Sequence, residues 1–100
     1  MPGTRLSDEH VAAELNGDTP MGPLSGWQRD GDAIARSFEF ANFVEAFGFM
    51  TKVALAAERL NHHPDWSNSW NKVDISITNH EAGGITDLCI ELARSINAAA

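Results

Sequence analysis

One hundred residues suffice for one ordinary domain and leave little room for a second. With 43% hydrophobic and 21% charged residues the chain can bury a core, which excludes a disordered tail or a membrane-embedded bundle. Seven basic residues against 14 acidic ones give a formal charge of −7, which repels a phosphate backbone and disfavours direct nucleic-acid binding.

The longest strictly apolar run, residues 53–57, is far short of the roughly 20 needed to cross a bilayer. Arg5, Asp8 and Glu9 interrupt the apolar stretch that a secretory signal requires, so a cytoplasmic location is expected. Cys89 has no second thiol with which to form an internal disulfide or a thiolate-ligated metal site, and it is expected to be a small core residue.

Along the chain, Ser7 is placed to cap a helix over residues 7–15. Asp8 and Glu9 follow in the first turn, where the helix dipole favours negative charge, and Leu6 and Val11 stand at staple spacing. Residues 16–26 hold three glycines and two prolines and form a loop. The helix and loop (1–26) and a core (27–100) make up a single domain. Trp27 opens a strand. A second strand covers 34–40, where Ile34, Phe38 and Phe40 share one parity and Arg36 is the exception. Beyond Asn42 the period lengthens: Phe43, Phe47, Met50, Ala54, Ala57 and Leu60 define a long helix with this stripe turned to the core, ending near Asn61 ahead of Pro64. Residues 72–79 alternate cleanly, with Val73, Ile75 and Ile77 on one face. Gly83 and Gly84 permit a turn, Thr86 caps a last helix, Ile85 and Ile90 staple it, and Leu88, Leu92 and Ile96 face inward. This order implies an α+β fold with helices packed on an antiparallel sheet.

Three of the four histidines lie at element ends: His62 and His63 after the long helix, His80 after the best strand. Imidazole titrates near pH ~6.5, so three that converge make a competent acid/base site. Taken singly, His63 can also bond the last helical carbonyls, His80 can be a plain strand-end residue, and His10 belongs to a solvated helix face. A three-histidine zinc site is the alternative, disfavoured because adjacent imidazoles chelate one ion poorly.

The runs Asn61-His62-His63-Pro64-Asp65-Trp66, Asn71-Lys72-Val73, Thr78-Asn79-His80-Glu81 and Gly83-Gly84-Ile85-Thr86 resemble, in combination, the pterin-4a-carbinolamine dehydratase family. Glu58 and Leu92-Ala93 also fall where that family has such residues, and the likeness covers about residues 27–96. The resemblance implies a four-stranded antiparallel sheet with helices on one face and assembly as a homodimer or homotetramer. It implies dehydration of 4a-hydroxytetrahydropterin to quinonoid dihydropterin, which regenerates the cofactor of aromatic amino-acid hydroxylases, with pterin as substrate and no metal or other cofactor.

His62, His63 and His80 map onto the family's catalytic histidines. Asn61, Pro64, Trp66, Thr78 and Asn79 join them in the expected substrate site, with Glu58 in support. Because His63 adjoins His62 and must point elsewhere, proton transfer is assigned to His62 and His80 and positioning to His63. Two residues depart from the family pattern: Asn61 where many members have Asp, and Cys89 where an acidic residue is common, a change expected to affect helix capping more than chemistry. Some members also act as dimerisation cofactors of a transcription factor, so a protein-interaction module is the rival reading. Retention of all three histidines favours the enzyme.

Overall fold

The computed structural model describes residues 3–100. Its elements run α1 (Asp8–Asn16), β1 (Gln28–Asp30), β2 (Ala33–Glu39), α2 (Phe43–Leu60), β3 (Asp65–Ser69), β4 (Lys72–Ile77) and α3 (Asp87–Ala99). The four strands form one antiparallel sheet in the order β1-β2-β4-β3.

Strands β2 and β4 pair so that Ile34 meets Ile77, Arg36 meets Ile75 and Phe38 meets Val73. Directly opposed residues share a face, so the four β-branched chains and Phe38 form one apolar surface, and all five are buried. The opposite face carries Ser37, Asp74 and Lys72, which are exposed. Helices therefore cover one side only. Val53, Ala57, Leu92 and Ile96 complete the core, and Val11 and Leu24 enter the same cluster, tying the first helix and its loop to it.

Arg36 has core parity but not a core role. Its guanidinium lies 4.2 Å from the centroid of the Phe38 ring and donates through Nη1 to Asn97 Oδ1 at 2.7 Å and to the Ser25 carbonyl at 2.8 Å. Trp27 Nε1 donates to the same Asn97 oxygen at 2.8 Å. One amide of α3 thus ties β2 to the loop before β1. Glu14 joins α1 to α3 by accepting from Arg94 at 2.8 Å. Burial raises its carboxyl pKa, but the bonds and charges of Arg94 and His10 outweigh this and hold it below the ordinary value.

Ser7 caps α1 as expected, its Oγ accepting from the His10 amide at 3.1 Å. Thr86 occupies the N-cap position of α3 without a capping hydrogen bond; it is fully buried and its hydroxyl lies against Cys89. Leu92 and Ile96 of the last helix are buried as expected, while Leu88 is only half-buried.

Two expectations need correction. The inward face of α2 is Ala46, Phe49, Val53, Ala56 and Ala57, with Met50 and Leu60 partly buried, whereas Phe43, Phe47 and Ala54 are exposed. This helix is apolar on two adjacent stripes, and periodicity cannot say which one meets the sheet. Strand β3 was not foreseen, because Asp-Trp-Ser-Asn-Ser has neither alternation nor β-branched residues. It forms because β4 offers a free edge and the turn at Trp70, with φ of 52°, folds the chain back, held by Asn68 Nδ2 donating to the Trp70 and Lys72 carbonyls at 3.0 and 2.8 Å.

Replacing Asn97 by Ala leaves the Trp27 indole and the Arg36 guanidinium without their shared acceptor. Such orphaned donors cost about 1–3 kcal/mol, so urea denaturation of Asn97→Ala should show a loss in that range. An unchanged midpoint would show that Asn97 does not tie these elements together.

Candidate active site

Helix α2 ends at Asn61, which takes a left-handed conformation (φ 51°, ψ 44°) while its amide donates to the Ala57 and Glu58 carbonyls. Asn tolerates that conformation better than most non-glycine residues, which gives Asn61 a structural role at the helix end. The chain then turns so that His62 is half-buried and His63 points outward. From the far side, β4 ends and Asn79 organises the next turn: its Oδ1 accepts from the Ala82 amide at 3.0 Å, and its carbonyl accepts from Gly83 at 2.9 Å and Gly84 at 3.1 Å. Gly83 sits at φ 74°, where a side chain would be strained.

Between these two ends lies an open groove of about 590 Å³, lined by Leu60, Asn61, His62, His63, Thr78, Asn79, His80, Glu81 and Leu88. The three histidines, 18 residues apart at their widest, meet here. A larger depression of about 780 Å³ on the uncovered sheet face contains no imidazole. The three clustered histidines therefore belong to the smaller groove.

The three imidazoles differ in environment. His63 Nε2 pairs with Glu58 Oε1 at 2.5 Å, both groups being largely exposed. The Glu58 contact is thus to His63. His80 is exposed. His62 has Nε2 at 3.3 Å from the Cys89 sulfur. Burial lowers the His62 pKa below its ordinary 6.5, the neighbouring His63 charge lowers it further, and a hydrogen bond to the Thr78 backbone opposes both. His62 therefore resists protonation more than an ordinary imidazole does.

Cys89 is buried as expected, and its sulfur also touches His62, a contact made from another helix. Nothing in the local sequence pairs residues 27 positions apart. Thr78 and Asn79 reach the groove, but the Thr78 hydroxyl donates away from it to the Asp32 carbonyl at 2.5 Å and the Asn79 amide serves its own turn. Pro64 and Trp66 do not line this groove. Trp66 lies on β3 opposite Ile75 and borders the larger depression instead, because β3 carries it away from the end of α2. His10 bonds Glu14 on α1, away from the site. Among the described residues no group of three histidine, cysteine or carboxylate side chains is disposed to hold a metal ion.

Residues 4–99 match the model of a family described as pterin 4 alpha carbinolamine dehydratase. The chain belongs to that family. A relative from Rhizobium johnstonii, named "Putative pterin-4-alpha-carbinolamine dehydratase", is 54% identical over 98 residues, spanning 96% of this chain and 91% of the relative. A crystal structure described as a transcriptional coactivator/pterin dehydratase from Brucella melitensis superposes with a TM-score of 0.89 at 42% identity, over 97% of this chain and 99% of that one. A pterin dehydratase-like protein described as a RuBisCO assembly factor in the alpha-carboxysome shares the fold alone, with a TM-score of 0.61 at 16% identity over 73% of this chain and 84% of its own. This family fold is the four-stranded antiparallel sheet with three helices described above.

The environment of His62 has a consequence for stability. Its folded form resists protonation, so as pH falls below about 6.5 the unfolded chain takes up a proton that the folded chain refuses. Stability should decline between pH 7.5 and 5.5, a window lying above the titration of Glu14. Urea unfolding of the parent and of His62→Gln checks this, and an identical pH dependence in both would assign the effect elsewhere.

Proposed function

We propose that the chain removes water from 4a-hydroxytetrahydropterins to give quinonoid dihydropterins, and so supports recycling of the tetrahydropterin used by aromatic amino-acid hydroxylases. The observation that carries this reading is the gathering of His62, His63 and His80 round one groove in a chain of this family. The names of its relatives support the dehydratase activity.

The reaction breaks the C4a–O bond and removes the proton on N5, whose electron pair forms the C4a=N5 bond, while the departing hydroxyl takes up a proton and leaves as water. One acid and one base suffice. The geometry favours His63 and His80 for these roles, reversing the division expected from position alone. His63 is backed by the Glu58 carboxylate, and His80 faces the groove from the opposite wall. His62 is half-buried and already engaged by Cys89, which suits it to positioning the ring system. No metal or nucleotide enters the scheme.

The apolar stripe on α2 supports self-association. Phe43, Val44, Phe47 and Leu55 are 47–78% exposed on one helix of a strongly acidic chain, and exposed apolar patches of this kind mark protein contacts. A dimer or tetramer would cover them. The same stripe favours a second reading, a protein-interaction role, in which the groove would be dispensable; the Brucella relative is described as a transcriptional coactivator as well as a pterin dehydratase.

A dehydration assay with chemically generated 4a-hydroxytetrahydropterin tests the activity. Turnover should survive prolonged chelation, and His63→Ala and His80→Ala should each lower kcat about 10²–10⁴-fold, while His62→Ala chiefly raises KM. Near-normal turnover in all three variants would end the histidine mechanism. Abolition by His62→Ala alone would restore proton transfer to that residue, and loss on chelation recovered with zinc would replace the scheme by a metal site.

Light scattering should give at least a dimer mass, reduced by Phe47→Glu without loss of secondary structure. A monomeric parent with full activity would leave the α2 stripe without this role.

A further inference from the structure

The turn that carries His80 closes on Asn79. The Asn79 carbonyl accepts from the Gly83 and Gly84 amides at 2.9 and 3.1 Å, its side-chain oxygen accepts from the Ala82 amide at 3.0 Å, and its own amide donates to the Gly84 carbonyl at 3.0 Å. Asn79 and Gly84 thus form an antiparallel bridge at the neck of the turn, and His80 and Glu81 line the groove beyond it. Bonds within a turn fix its shape but leave it free to pivot about the strand and helix that flank it.

The chain ahead of α1 meets this neck from outside. The Leu6 amide donates to the Ile85 carbonyl at 2.8 Å, and Leu6 packs on the core. Gly3 lies against Thr86 and Arg5 against Gly84, so residues 3–6 and 84–86 run antiparallel. A methyl group added at Gly84 would stand 2.8 Å from Nε, 3.1 Å from Cδ and 3.2 Å from Cγ of Arg5. The two glycines of the turn are therefore glycine for different reasons. Gly83 needs its φ of 74°, whereas Gly84 lies outside the left-handed region, and Arg5 is what excludes a side chain there. Arg5 is exposed while Gly84 beneath it is buried, as when a long side chain covers its neighbour with methylenes and keeps its charge in water.

We propose that Arg5 is a positioning residue for His80. Its stem clamps Gly84 from outside, Gly84 holds Asn79 through the bridge, and Asn79 sets the backbone from which His80 enters the groove. The assignment rests on the dehydratase reading, in which His80 transfers a proton. His80 is exposed, so its placement depends on the backbone that carries it. A misplacement of about 1 Å in a reacting group can cost up to about 10²-fold in rate.

Hydrogen exchange of the ¹⁵N-labelled full chain, together with kinetics of 4a-hydroxytetrahydropterin dehydration, tests this. Arg5→Ala should speed exchange of the Asn79 and Gly84 amides several-fold and lower kcat several-fold with KM little changed, while the Ile75 amide in the middle of β4 exchanges as in the parent. Arg5→Lys, which keeps the methylenes, should restore both. Gly84→Ala should displace the Arg5 stem and reproduce the loss, yet add little in an Arg5→Ala background, where the contact is already gone. Should Gly84→Ala fail to fold, the two Arg5 variants decide the question alone. Unaltered exchange at Asn79 and Gly84 in Arg5→Ala would overturn the proposal. Faster exchange there with kcat unchanged would reduce Arg5 to a structural contact and overturn it too. Faster exchange in a chain whose parent has no dehydratase turnover would sustain the brace and sink the dehydratase reading, so the two failures are distinct.

Discussion

Strands β2 and β4 pair in a register that sets Ile34 on Ile77 and Phe38 on Val73, and both faces of the molecule follow from it. A slip of one residue would turn Val73, Ile75 and Ile77 to water and Asp74 and Ser76 into the core, so the buried face locks the pairing. The same register determines where β4 stops. Thr78 to His80 emerge beyond the last core residue, Ile77, next to the point where α2, packed on the same apolar face, runs out at Asn61. The groove is the gap between two elements that end at one side of a single core.

That origin accounts for the division between rigid and exposed parts of the site. His62 sits on the core side of the turn, in contact with a core cysteine, while His63, one residue on, is turned to solvent with Glu58. Adjacent residues in a turn cannot share a direction, so a histidine pair at a helix end supplies one buried and one accessible imidazole. His80, carried by the turn that Asn79 and Gly83 shape, supplies the opposite wall. Few side chains beyond the imidazoles face the groove with free polar groups, because Thr78 and Asn79 spend theirs on the scaffold.

How much of this could be read from the chain depends on whether a residue's role is local. Strand β4, the Ser7 cap and the limits of α2 and α3 follow from alternation, capping and the proline after the helix, and each is close to its expected place. Strand β3 is exposed on every side that matters and exists because its neighbour has a free edge, a non-local cause. The rotation of α2 was misjudged since Phe43 and Phe47 are as apolar as Phe49, and only the sheet selects which stripe is buried. The three histidines stood out by their places at element ends and by family likeness. Their separate environments were not, because Cys89 reaches His62 from another helix and Trp66 is carried off by β3.

The two departures from the family pattern, Asn61 and Cys89, acquire a common sense in the fold. Each puts a neutral group beside His62 where a carboxylate would favour the imidazolium. A half-buried imidazolium next to His63 would face a like charge, and burial would penalise it further. With both positions neutral, the carboxylate contact in the histidine cluster is Glu58 on His63, at the exposed edge. The carboxylate partner thus stands beside the imidazole that solvent reaches, and among the described residues none hydrogen-bonds the one packed on the core. In a chain of net charge −7, Glu81 is the one acidic residue among those that line the groove, and it belongs to the turn after β4 and not to the two helices that approach His62.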